Sequence, residues 1–119
     1  MLVVDDEAPL RELVVVTLAE AFECEEAADG DTAIELLHER PFDIVVLDVM
    51  MPGRNGLDVL REIRSDERLS GVRTVVLSAW QAQDDITAAA EAGADRFVSK
   101  PFDVDELVSV VQELAGDTA

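Results

Sequence analysis

The stretch Phe42-Asp43-Ile44-Val45-Val46-Leu47-Asp48-Val49-Met50-Met51-Pro52-Gly53-Arg54-Asn55-Gly56 decides the fold. Ile44–Leu47 is a continuous apolar run rich in β-branched residues. It is too short for a helix and apolar on both faces, as a central strand of a parallel sheet should be. Asp48 ends the run, and Pro52, Gly53, Asn55 and Gly56 impose a loop directly after it. A carboxylate is therefore expected at the carboxyl end of a central strand, where open α/β sheets place their ligand sites.

Reading outward, Leu2–Val4 forms a short strand ending in Asp5, Asp6 and Glu7. Pro9 suits the first turn of a helix over residues 8–21, with an acidic residue ahead of it as cap. Residues 23–28 read as a second strand, acidic enough to be an edge. Asp29 or Asp31 caps a helix over 31–39, and a strand follows at 43–47. Asn55 or Gly56 opens the third helix. Strand 72–77 ends at Ser78, Ala79 and Trp80, and helix 83–92 stops at Gly93. The inward face of that helix offers Ile86 and then mainly Ala88, Ala89, Ala90 and Ala92. Strand 96–99 leads into Lys100, Pro101 and Phe102. Asp103 and Glu106 then start a fifth helix carrying Leu107, Val110, Val111 and Leu114. It is expected to end about six residues before the terminus, with no output domain in this chain.

Five strands alternating with five helices predict an α/β domain, a doubly wound (βα)5 unit with a five-stranded parallel sheet and helices on both faces. It fills residues 1–119 as one domain, with its core over 2–115.

The chain carries a net charge of −18, with eight arginines and a single lysine, Lys100. No basic stripe exists, which argues against direct nucleic-acid binding. No apolar run approaches the roughly 20 residues of a membrane span. One cysteine, Cys24, and one histidine, His38, exclude an internal disulfide and a Cys/His metal site; Cys24 is expected in a strand and His38 on a helix surface. A reducing, cytoplasmic setting is the default for such a chain.

In a parallel sheet the strand ends gather at one edge, bringing Asp5, Asp6, Asp48, Ser78 and Lys100 together. At ~5 Å and an effective dielectric of ~20, each carboxylate pair repels by roughly 3 kcal/mol, so a cation belongs among them. Hard oxygen ligands with open positions suit Mg²⁺. Lys100 and Ser78 suit the oxygens of a phosphoryl group arriving at Asp48.

Val3–Glu7, Leu47–Gly53 with Gly56, Ser78-Ala79 and Lys100–Phe102, in that order, resemble a response-regulator receiver domain, the phosphoacceptor module of two-component signalling. The resemblance runs from Leu2 to Leu114 and implies the strand order 2-1-3-4-5. It implies that Asp48 is the phosphoacceptor and that Asp6 ligates Mg²⁺ directly and Asp5 through water, with Asp48 and the Met50 backbone carbonyl completing the protein ligands. Ser78 and Lys100 would bind phosphoryl oxygens, and the peptide before Pro101 would be cis. Phe97 matches an aromatic switch position, while Met50 and Trp80 flank the path of the water that removes the phosphate.

The implied donor is a sensor histidine kinase or a histidine phosphotransfer protein, and the implied output is a downstream protein target. A monomer or weak homodimer is expected, because the fifth helix lacks the basic residues that resembling transcription-factor receivers use to dimerise. Such a module catalyses its own phosphorylation and dephosphorylation only. Three other functions are weaker. A small aspartyl-phosphate phosphohydrolase would have a carboxylate where Met50 stands. A phosphorylation-independent interaction module usually lacks the acidic pair or the lysine. A flavodoxin-like nucleotide binder needs a Gly-rich loop after the first strand.

Overall fold

The computed structural model describes residues 1–20, 22–49, 56–69, 71–78, 83–99 and 104–117. Side-chain alternation along the strands builds two separate cores. Leu2, Val4, Val45, Leu47 and Val76 point to one face of the sheet, and Val3, Ile44, Val46, Val75, Leu77 and Val98 to the other. The period of two along each strand is what permits a layer of helices on each side.

The strands are β1 (Leu2–Val4), β2 (Glu25–Ala27), β3 (Ile44–Asp48), β4 (Arg73–Ser78) and β5 (Arg96–Ser99). They pair in parallel in the order β2-β1-β3-β4-β5, as expected. The helices are α1 (Ala8–Leu18), α2 (Gly30–Glu39), α3 (Gly56–Ser65), α4 (Gln83–Ala92) and α5 (Val104–Asp117). Val14 and Leu18 of α1 share one core with Leu107, Val111 and Leu114 of α5. Ile34, Leu37, Leu57, Leu60, Ile63, Ala89 and Ala92 bring α2, α3 and α4 to the opposite face.

β2 is an edge, and its acidic residues are used. Glu25 pairs with Arg40 and Glu26 with Arg11. Asp29 caps α2 by accepting from the Thr32 backbone N–H at 2.8 Å, so Asp29-Gly30 opens a helix rather than a hairpin. Gly93 ends α4 at φ +111°, the left-handed conformation that suits glycine in a helix terminator.

Several boundaries differ from the sequence reading. β3 and β4 each sit one residue later, because the backbone ladder sets their limits rather than the apolar runs. The Arg73 N–H donates to the Asp43 carbonyl at one end, and the Val49 N–H to the Leu77 carbonyl at the other. Asp48 is therefore the last residue inside β3. α1 stops at Leu18, and Leu13 on it is exposed. The expected acidic cap of α1 does not form, since the Glu7 side chain makes no capping bond. Cys24 precedes β2 rather than lying in it. On α4, Ala89 and Ala92 are buried but Ala90 is exposed. α5 runs on to Asp117, held by buried Leu114 and the packed Ala115. A short 3-10 turn at Glu67–Leu69 was not signalled by any apolar spacing.

Candidate functional site

β1 is buried along its whole length, and it delivers Asp5 into the interior with 1 % of its surface exposed. The Asp5 N–H donates to the Ala27 carbonyl at 3.2 Å, extending the β1–β2 ladder past the strand. Asp5 Oδ1 accepts from the Glu7 N–H at 2.9 Å. That local turn leads the chain into α1. Pro9 in the first turn then fits without losing a hydrogen bond. Asp6, between these two residues, is exposed.

Asp48 reaches the same edge from β3 and is also only 1 % exposed. The chain stays pinned after it, because the Val49 N–H donates to the Leu77 carbonyl at 3.1 Å and the Gly56 N–H to the Val49 carbonyl at 2.9 Å. α3 can begin this close to β3 only because Gly56 has no side chain. A Cβ there would collide with the Asp48 carbonyl oxygen and lie 2.7 Å from Val49 Cα.

One carboxylate oxygen from each of Asp5, Asp6 and Asp48 lies within 4.8 Å of the others. Three like charges at this range, two of them out of solvent, repel strongly. All the donors are hard oxygens, and the exposed Asp6 leaves the cluster open on one side. This cluster could hold a divalent cation that keeps part of its water shell. Arg11 lies beside it: Nη1 donates to the Asp5 carbonyl at 2.7 Å, and Nε to Glu26 Oε1 at 3.0 Å. Arg11 was not singled out from the sequence, where its distance of six positions from Asp5 carries no pattern.

Ser78 ends β4 opposite Ser99, the residue before Lys100, so the strands bring these positions to the carboxylate edge. Phe97 is half-buried, lies opposite Val76 in the β4–β5 register and packs against the α2–α3–α4 core. Met50, Trp80, Lys100 and Pro101 lie outside the described residues. A cleft of about 480 Å³, lined by His38, Arg40, Phe42 and Arg68 among others, sits at the amino ends of the strands, away from the carboxylates.

The family model described as "Response regulator receiver domain" matches residues 1–112. The chain belongs to the response regulator receiver family. Among relatives, this receiver domain is 42 % identical over 113 residues to the DNA-binding response regulator MtrA of Mycobacterium tuberculosis, covering 94 % of this chain and 48 % of MtrA. It is 37 % identical over 110 residues to the phosphate regulon transcriptional regulatory protein PhoB of Pseudomonas aeruginosa, covering 92 % and 48 %. The chain thus spans about half the length of the curated relatives it matches. The Francisella response regulator 1452 receiver domain superposes with a TM-score of 0.92 at 28 % identity, over 99 % of this chain and 97 % of that one. The expected family and fold are both borne out, and the chain is a receiver domain of two-component signalling. Among the described residues, no helix is long and apolar enough to cross a membrane.

Proposed function

We propose that this receiver accepts a phosphoryl group from a phosphohistidine donor onto Asp48 in an Mg²⁺-dependent reaction. The convergence of Asp5, Asp6 and Asp48, with Asp5 and Asp48 buried, supports this reading. Asp6 and Asp48 would hold the ion directly and Asp5 through water, and the backbone carbonyl of Met50 would complete the protein ligands. When bound, Mg²⁺ neutralises charge on the phosphoryl oxygens. An Asp48 carboxylate oxygen forms the new P–O bond as the P–N bond of the donor imidazole breaks. The hydroxyl of Ser78 and the ammonium of Lys100 bind the transferred oxygens. Burial of Asp48 limits the access of bulk water to the acyl phosphate, and Met50 and Trp80, by their positions in the family's pattern, would tune the rate of its hydrolysis.

The phosphorylated state favours a different arrangement of the surface formed by β4, α4, β5 and α5, with Phe97 as its switch. Phosphate can shift that equilibrium only by binding one arrangement better. The donor is a sensor histidine kinase or histidine phosphotransfer protein in the cytoplasm, and the output is a protein partner. This chain acts as a monomer or weak homodimer. Its charge of −18 keeps it from contacting nucleic acid itself, so any DNA binding like that in the relatives' names requires sequence beyond this domain. Incubation with acetyl phosphate and Mg²⁺ is expected to add one phosphoryl mass, lost in Asp48→Asn. Equal labelling of that variant would refute the assignment.

A further inference from the structure

Asp5 and Asp6 are on a turn, whereas Asp48 is fixed inside a strand, so the geometry of the cluster depends on what holds the turn. Two hydrogen bonds tie it to β2 and to the start of α1: the Asp5 N–H donates to the Ala27 carbonyl, and the Glu7 N–H to the Asp5 side-chain Oδ1. The side chain of Arg11 adds a further tie. Arg11 is anchored by its own N–H to the Glu7 carbonyl at 2.9 Å, and its guanidinium reaches back to the Asp5 carbonyl at 2.7 Å. The other arm lies on Glu26 of the edge strand at 3.0 Å, and the Arg11 side chain is only 16 % exposed. A planar fork gripped at two points is a stiff strut.

We propose that Arg11 is a positioning residue for the metal site: aligned by Glu26, it clamps the Asp5 carbonyl and thereby holds the Asp5 and Asp6 carboxylates in register with Asp48. The inference rests on the metal-dependent reading above and adds a residue pair to it. Charge and geometry make opposite demands here. A guanidinium beside a cation site repels the cation, so on charge alone its removal tightens Mg²⁺ binding. Loss of the strut loosens two of the three carboxylates and weakens it. Outer-shell partners of metal ligands typically change affinity by about 10- to 100-fold, and Arg11 acts one step further out, through backbone.

Calorimetric titration of Mg²⁺ into the unphosphorylated chain separates the two. Arg11→Ala is expected to weaken Mg²⁺ binding about 10-fold, the low end of that range. Arg11→Lys, which keeps the charge but not the fork, and Glu26→Ala, which frees one arm, are each expected to weaken it by about 3-fold, between no change and full loss of the strut. These ratios are expected to persist from about 0.1 to about 1 M KCl, where the screening length falls from about 10 to about 3 Å. Circular dichroism establishes that each variant is folded; should Arg11→Ala fail to fold, the lysine and Glu26 variants decide. Binding as tight as wild type, or tighter, in folded variants overturns the inference. So does a Glu26→Ala variant that matches wild type. Absence of Mg²⁺ binding by the unaltered chain overturns the metal reading itself.

Discussion

At the scale of single residues, the site depends on two groups the fold tolerates at a cost. Asp48 is a carboxylate inside a buried strand, with Asp5 and Asp6 within 4.8 Å. Replacing it by Asn removes one of three like charges. In the absence of divalent ions, Asp48→Asn is therefore expected to raise the unfolding free energy by about 1–3 kcal/mol. Urea titration in chelator measures it, and a variant less stable than wild type would contradict the repulsive picture. Gly56 is the second group. Its missing Cβ admits the start of α3 against the Asp48 carbonyl, and a methyl there has only backbone to displace. Gly56→Ala is expected to destabilise by about 1–3 kcal/mol, the usual range for overpacking. It should also impair labelling, because the carbonyl it pushes belongs to the proposed acceptor. That a carboxylate ends the apolar run of β3 was legible from residue types alone. The reason for Gly56 was not, since it lies in a contact between β3 and α3 that no local pattern records.

At the scale of elements, strands and helices differ in how far their sequence revealed them. The apolar runs of β3 and β4 and the heptad-like spacing of α5 were plain, while the ends moved wherever backbone bonding or a distant side chain decided. Arg64 is the clearest case. Its guanidinium donates to the carbonyls of Gly93 and Val72, at 2.9 and 2.7 Å, and to Asp95 Oδ2 at 2.7 Å. Asp95 in turn accepts from the Thr74 N–H at 2.8 Å. One side chain of α3 thus secures the C-terminus of α4 and the entries to β4 and β5, over separations in sequence that periodicity cannot see. Arg64→Met is expected to cost about 2–3 kcal/mol, as for charged hydrogen bonds, with the loss read by urea titration. α4 should still exchange its amides faster than α5. Its buried contacts include the small Ala89 and Ala92, against Leu107, Val111 and Leu114, and each buried methylene contributes roughly 0.8 kcal/mol. Equal protection of the two helices by hydrogen exchange would contradict this. The 3-10 turn has its own titrating support. Asp66 accepts from the Arg68 N–H and guanidinium and pairs with His38, and these bonds, led by the Arg68 side chain, lower its pKa to about 2. A carboxylate lowered on folding contributes stability present above its ordinary value near 3.8 and lost as pH falls through about 2. Asp66→Asn is expected to remove this part of the acid sensitivity, seen as a flatter stability curve between those two pH values.

At the scale of the whole molecule, a net charge of −18 on 119 residues sets two responses to salt that must be kept apart. General self-repulsion is relieved by any electrolyte, because screening shortens the range over which surface carboxylates feel one another. The carboxylate cluster asks for something narrower, a hard divalent ion placed among three converging oxygens. Sodium chloride should therefore raise the melting temperature modestly, and magnesium chloride at matched ionic strength should raise it further. An ion that binds only the folded state adds RT ln(1 + [L]/Kd), about 2.7 kcal/mol at a hundredfold excess over Kd. For a domain of this size that is a shift of about 3–5 °C for each kcal/mol. Asp6→Asn is the discriminating variant, because Asp6 is exposed and its loss removes a proposed ligand without opening the core. It is expected to keep the sodium response and lose most of the additional magnesium shift. Scanning calorimetry on both proteins in both salts gives four melting temperatures, and only the unaltered chain should melt clearly higher in magnesium chloride than in sodium chloride. If the two salts raise the melting temperature equally at equal ionic strength, the acidic cluster takes no divalent ion and the metal-dependent reading of this receiver falls.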